Sequence, residues 1–252
     1  MSIEQSKRED IAALIIGRGN NTLKDKNILP VFGIPLLHWG ALAAKRSKFI
    51  KRYYISSDDP KILDAGKNVG FTTILRPDEL ATPNAQSADA VRHACETILK
   101  EGEISTLIVI HANVGTISTN MIDDCIELLL KNSNISAVIP SHQKDEYHAL
   151  RARKVNVEGF LEPYVQIKGN ISANRQELGT CLFYDHSFWV LSMEKGINSK
   201  NGQQPWTVMG NNILPYLTEG CFDVHDIDDL KRTEEWISNN GIYELYKSEG
   251  LL

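Results

Sequence analysis

The feature that most constrains this chain is a rhythm: through its first half, short apolar runs alternate with stretches patterned as helices. Ile11–Ile16 is a continuous apolar run of strand length that stops at Gly17. Pro35 then opens a helix that groups Leu36, Leu37, Trp39, Leu42 and Ala43 on one side. Tyr53–Ser56 reads as a second strand, and Asp59-Pro60 as the cap and first residue of the next helix. Phe71–Leu75, Thr106–His111 and Ile135–Pro140 continue as strands, with helices over Ala85–Lys100 and Met121–Lys131 between them. Strand, helix, strand at this spacing predicts an α/β fold of three layers, a Rossmann-like, mostly parallel sheet with helices on both faces.

The rhythm changes near Ser141. Residues 141–180 are polar, with strand-like pieces broken by Gly159, Pro163 and Gly169. We take them as an excursion inserted in one domain spanning residues 1–252. Leu182–Tyr184 and Phe222–Val224 read as strands returning to the sheet. Asp226–Asn239 reads as a helix whose buried side carries Ile227, Leu230 and Ile237.

Charge and cysteine usage exclude several classes. The 252 residues carry 27 Lys and Arg against 32 Asp and Glu, a net charge of −5. No broad basic field invites nucleic acid or an anionic membrane, so an anionic substrate needs a local cluster of cations. Cys95, Cys125, Cys181 and Cys221 form no CxxC pair, so buried reduced thiols are expected rather than zinc or disulfides. No apolar run reaches the length of a signal-peptide core or a membrane span, which predicts a cytoplasmic protein.

In an open parallel sheet, ligands bind beyond the carboxyl ends of the strands. Four segments fall there: 17–27, 56–59, 111–117 and 223–226. The first is Gly17-Arg18-Gly19-Asn20-Asn21-Thr22-Leu23-Lys24-Asp25-Lys26-Asn27. Its glycines allow backbone N–H groups close to phosphate oxygens, and Arg18, Lys24 and Lys26 supply charge to neutralise them. It is neither GxxxxGK[ST] nor GxGxxG. A polar surface loop with some basic residues is the competing explanation.

This loop resembles the signature of the acylneuraminate cytidylyltransferases, A-R-G-G-S-K-G-x-x-x-K-N after a strand. Arg18, Gly19, Lys26 and Asn27 stand at matching positions. Ile55-Ser56-Ser57-Asp58 resembles the family's V-S-T-D, and Arg76-Pro77-Asp78-Glu79-Leu80-Ala81 its R-P-x-E-L-A. Asn174-Arg175-Gln176-Glu177-Leu178 is similar to its R-Q-x-L segment, and Phe222-Asp223-Val224-His225-Asp226 stands where it has I-D-I-D. The family makes CMP-activated nonulosonic acids and is similar to the CMP-Kdo synthetases. Three departures stand out. The loop is one residue short with no lysine in the place of Ser-Lys-Gly. Ile117 replaces the arginine of Q-P-T-S-P-L-R, and His225 replaces the second aspartate.

The resemblance implies transfer of CMP from CTP to the anomeric hydroxyl of an acidic sugar, with release of pyrophosphate. It implies Gly17, Arg18, Gly19, Asn20, Lys24, Lys26, Asn27, Arg76 and Asn113 around the nucleotide. Arg175 and Gln176 are expected at the sugar, and Arg18, Lys26 and Asp223 in catalysis. Mg²⁺, or Mn²⁺, is expected at Asp223 and His225, with Asp226 better placed than Asp223 to cap the following helix. His225 is equally a base, a hydrogen-bond partner or a structural residue. Arg76 is alternatively an ion-pair partner of Asp78 or Glu79. Gln203-Gln204-Pro205-Trp206 is either a mobile edge of the sugar pocket or, for Trp206, a place in the packing. The excursion, with His142, Tyr147 and His148, implies a homodimer. A nucleotidyltransferase for another sugar and a non-catalytic nucleotide-binding relative are the alternatives.

Overall fold

A computed structural model describes residues 8–144, 147–166 and 169–252. Its strands are β1 (Arg8–Ile16), β2 (Pro30–Val31), β3 (Ile34–Pro35), β4 (Ile50–Ser57), β5 (Thr72–Leu75), β6 (Thr106–His111), β7 (Ala137–Gln143), β8 (Arg153–Val155), β9 (Leu161–Pro163), β10 (Leu182–Tyr184), β11 (Phe188–Ser192) and β12 (Ile213–Leu217). The α-helices are α1 (Leu36–Arg46), α2 (Pro60–Asn68), α3 (Ser87–Ile98), α4 (Thr119–Lys131), α5 (Ile227–Asn239) and α6 (Ile242–Ser248). The main sheet runs β5-β4-β1-β6-β11-β7, with β12 parallel along β7 and β10 antiparallel at its far end. Parallel pairing joins β5, β4, β1 and β6, while β11 runs antiparallel between β6 and β7. The sheet is therefore mixed, with its parallel half first in sequence.

The alternation of side chains along β1 builds two cores. Ile11, Ala13 and Ile15 face α1, α2 and α4, where Leu37, Ala41, Ile62, Ile122 and Ile126 cover them. Ala12 and Leu14 face the other way, against Val91, Ala94 and Ile98 of α3 and the Met193–Met209 segment. A third cluster joins Leu36, Trp39 and Leu42 to Leu230, Ile237, Ile242 and Tyr246. Because α5 and α6 cover its outer side, α1 is buried nearly all round rather than on the one side its pattern suggested.

Several local expectations hold with their mechanisms. Asp59 accepts from Lys61 N at 2.8 Å with Pro60 following it. Asp226 and Asp229 form a reciprocal capping box at the start of α5. Other expectations fail. Phe222–Val224 forms no strand, only a single bridge from Asp223 to Val114. Ile227 is 53% exposed, and Thr233 takes the buried place on α5 beside Leu230 and Ile237. Cys95 and Cys125 are buried, but Cys181 and Cys221 are only partly so; all four are free. The excursion contributes the antiparallel β8–β9 hairpin, with Val157, Phe160, Leu161 and Tyr164 exposed along it. No helix among the described residues is long and apolar enough to cross a membrane.

Candidate active site

Three of the four strand-end segments close on one another at the carboxyl edge of β1, β4 and β6, and the fourth, 223–226, packs against them. The β1 loop is internally braced. Asn27 is 3% exposed and donates from Nδ2 to the Arg18 carbonyl at 3.1 Å, and Asn21 donates to the same oxygen at 2.5 Å. Gly17 and Gly19 are required by close approach. A Cβ at Gly17 would lie 2.8 Å from Ala112 Cβ, and one at Gly19 2.7 Å from Asp59 Cβ. The Gly19 amide is anchored on Asp58 Oδ1 at 3.1 Å.

Two cations reach outward from this braced loop. Arg18 donates from its guanidinium to the Thr82 carbonyl at 3.0 Å, spanning to the segment before α3. Lys26 Nζ donates to the Val224 carbonyl at 3.1 Å, joining residues 198 apart in sequence. Burial pushes the Lys26 ammonium below its ordinary value, and Asp223 opposes that shift. Burial likewise pushes the Asp223 carboxyl up, against the charges of His225 and Lys26.

Asp223 is held opposite Val114, and Asn113 donates from Nδ2 to its Oδ1. The Val224 amide donates to the Asn113 carbonyl at 3.1 Å, so backbone and side chain both fix the pair. His225 Nε2 lies 3.6 Å from Asp223 Oδ2, and its Nδ1 lies 2.9 Å from the Asp223 carbonyl. Asp226 and Asp229 are occupied by the capping box, and of the nearby carboxylates Asp223 acts most strongly on Lys26.

A cleft of about 370 Å³ opens beside these groups, between Gly17 and Arg18 on one side and Thr82, Gln86 and Ser87 on the other. Arg76, His111 and Asn113 line it as well. Arg76 is 6% exposed and donates to the Ser56 carbonyl at 2.8 Å and to Ser56 Oγ at 3.3 Å. No ion pair joins it to Asp78 or Glu79 among the described residues. Gln86 precedes α3 without a side-chain cap, so the free N–H groups of that helix end lie at the cleft and favour an anion there.

The cleft thus takes Gly17, Arg18, Arg76 and Asn113 from the residues singled out in the sequence. Asn27 stands behind the loop as a brace, and Gly19 packs on Asp58 and Asp59. Asn20 and Lys24 are exposed and line no part of it. Gln176 lines a separate cavity of about 280 Å³ with Lys144, Tyr147 and Thr180, so the structure does not bring it to the cleft beside Arg18 and Arg76. The Arg175 side chain lies outside the described residues. Ile117 is 1% exposed in the core and offers the cleft nothing. Sequence reasoning missed His111, Thr82, Gln86 and Ser87. His111 closes a strong strand and was within reach of the strand-end rule; the others lie before a helix, where no charged residue marks them.

A cytidylyltransferase family model matches residues 12–167, from β1 into the excursion. The chain belongs to the cytidylyltransferase family. It is 27% identical over 177 residues to a bifunctional pseudaminic acid cytidylyltransferase and hydrolase of Helicobacter pylori, covering 69% of this chain and 33% of that protein. It is 33% identical over 88 residues to an N-acylneuraminate cytidylyltransferase of Escherichia coli, covering 34% and 21% respectively. The matched region therefore spans a third or less of the length of these two relatives. Among solved structures, a CMP:2-keto-3-deoxy-manno-octonic acid synthetase complexed with CTP superposes with a TM-score of 0.65 at 12% identity, covering 92% of this chain and all, 100%, of that one. A cytidylyltransferase from Leptospira borgpetersenii superposes at 0.58 with 13% identity over 96% of each chain. At such identities these last two speak for the fold.

Proposed function

We propose that the protein transfers CMP from CTP to the anomeric hydroxyl of an acidic sugar of the nonulosonate or Kdo type, releasing pyrophosphate. One observation carries the reading: the basic β1 loop is tied across the sheet to a carboxylate, through Lys26 to Val224 and Asn113 to Asp223. The family relationship supplies the nucleotide, and the names of the relatives supply the class of acceptor.

Attack on the α-phosphorus needs in-line positioning and neutralisation of charge on the departing pyrophosphate more than it needs covalent help. Arg18 and Lys26 would take phosphate oxygens. Burial of Lys26 strengthens its attraction, and both side chains already hold a carbonyl that a phosphate oxygen can replace. The cleft between Arg76 and the amino end of α3 would hold the nucleoside.

The donors Asp223 and His225 fit a divalent ion in part. Their Oδ2 and Nε2 atoms face one another at 3.6 Å, a carboxylate suits Mg²⁺, and the imidazole extends the choice to Mn²⁺. No group of three His, Cys, Asp or Glu stands ready to hold a metal among the described residues, so phosphate oxygens and water would complete the shell. Bound there, the ion would add positive charge at the triphosphate.

The exposed apolar side chains of the β8–β9 hairpin support a homodimer formed through the excursion. The four free thiols support a cytosolic setting.

The test is pyrophosphate release from CTP and Mg²⁺ across a panel of acidic ketoses, for the wild type and for Asp223→Ala. Release with one acceptor, lost in the variant, is expected. Release that survives Asp223→Ala would remove Asp223 from the chemistry, and silence with every acceptor would remove the transfer itself.

A further inference from the structure

Beside Asn113, on the side of the sheet edge away from Arg76, lies a group of rings that the reading above leaves unused. β6 ends on His111, and the turn between β10 and β11 carries His186. Their imidazoles lie parallel, 6° between planes, with centroids 6.1 Å apart. Trp206 packs on His186 at 4.4 Å, and Tyr184 reaches Trp206 at 5.6 Å and His186 at 6.0 Å. All four are partly exposed: Tyr184 and Trp206 pack at the margin of the second core, and His111 turns its Nε2 inward. Trp189, fully buried, supports this shelf of rings from below, 4.7 Å from His111.

Two features of the shelf work against stability. His111 Nε2 and Trp189 Nε1 are buried without a hydrogen-bond partner among the described residues, a cost that an apolar residue at either place would avoid. His186 has a φ of +50°, in the left-handed region that a residue with a Cβ adopts only under constraint. Such costs collect where a ligand is handled. The shelf is also continuous with the nucleotide cleft, because His111 lines both. The Arg18 and Arg76 side of that cleft, over β1 and β4, carries the charge suited to a nucleotide. The shelf lies over β6 and β11, and meets the cleft at His111.

We propose that the stacked pair His111–His186, backed by Trp206 and Tyr184, is the specificity-determining surface for the acceptor. It takes an uncharged C–H face of the sugar, such as a deoxy carbon, a methyl or an acetamido arm, and turns the carboxylate away. Rings bind such faces through area and polarisability, and two neutral imidazoles offer a carboxylate no cation. Burial holds His111 uncharged, pushing its imidazole down to about 3, so it keeps this character at neutral pH. His111 is then a discriminating contact rather than a proton carrier.

This inference rests on the cytidylyl-transfer reading, and its test separates the two. Steady-state constants for CTP and for the acceptor are measured in wild type, Trp206→Ala, His186→Ala and His111→Phe, with thermal melting and calorimetric CTP binding as checks on folding. Trp206→Ala and His186→Ala are expected to raise the acceptor KM about tenfold while the CTP KM stays within about twofold. His111→Phe keeps the ring and is expected to shift preference toward acceptors with more apolar arms. A parallel rise in the CTP KM would make the shelf a nucleotide surface and overturn the proposal, as would acceptor constants that do not move. If the wild type releases no pyrophosphate, the transfer reading fails by itself. The shelf is then judged by calorimetry with the same ketoses, where equal binding to wild type and Trp206→Ala, or none to either, overturns it.

Discussion

Over β1 and β4 the loops brace one another at short range: Asn27 on Arg18, Gly19 on Asp58, Arg76 on Ser56, Arg18 on Thr82. Over β10 and β11 the corresponding surface is made of rings, a left-handed histidine and polar atoms without partners. One region is braced by paired polar groups around the loops, and the other leaves His111 Nε2 and Trp189 Nε1 unpaired among the described residues. The contrast suits a transferase in which the nucleotide end of the reaction is common to a family while the acceptor end varies.

The comparison breaks first at Asp223. Asp223→Asn keeps the Asn113 neighbour but removes the charge, and kcat is expected to fall about a thousandfold with CTP binding largely retained. An equal loss of CTP affinity would move Asp223 from the transfer step to plain binding. Next is Arg76→Ala, which empties a buried site and orphans Ser56. A loss of about 2–3 kcal/mol in stability is expected by chemical denaturation, with weaker CTP binding in calorimetry. Gly19→Ala should be milder, because its methyl meets Asp59 at 2.7 Å and pushes the loop rather than the core. Its CTP KM is expected to rise about tenfold with melting little changed.

The acceptor side is sharpened by pH. The folded state holds His111 near about 3, against 6.5 as its ordinary value, with His186 and Lys26 adding to the effect of burial. As pH falls below 6.5 the unfolded chain takes up this proton and the folded protein does not, so stability is lost across that window. His111→Gln should therefore lose less on going from pH 7 to pH 4, by about 6–13 °C in Tm. The smallest effect on chemistry is expected from Leu161→Asp, 73% exposed at its position in the excursion hairpin. It should halve the mass seen by light scattering while leaving nucleotide affinity unchanged.

Legibility in the sequence follows the same division. β1, β4, β6 and the Asp59-Pro60 start of α2 are written in short-range patterns, and the basic loop follows directly from the end of β1. The pairing of Asn113 with Asp223 joins residues 110 apart, and nothing in local spacing signals it. β11 is a short run, buried on both faces and without alternation, so no pattern marks it; β12 carries Pro215, which an edge strand tolerates. Asn27 matched a motif yet serves as a brace, because a motif gives a residue's place but not the direction of its side chain. His111 stood at a strand end in plain view, and its importance rests on His186 and Trp189, which only the fold brings beside it.

The central claim is chemical, and product analysis tests it most directly. The protein is incubated with CTP, Mg²⁺ and each acidic ketose, and the mixture is followed by ³¹P NMR and mass spectrometry. The account predicts one new phosphodiester resonance and a mass equal to CMP joined to the sugar, in step with an equal amount of pyrophosphate. Pyrophosphate with free CMP and no conjugate, or CTP left intact with every acceptor, would contradict it.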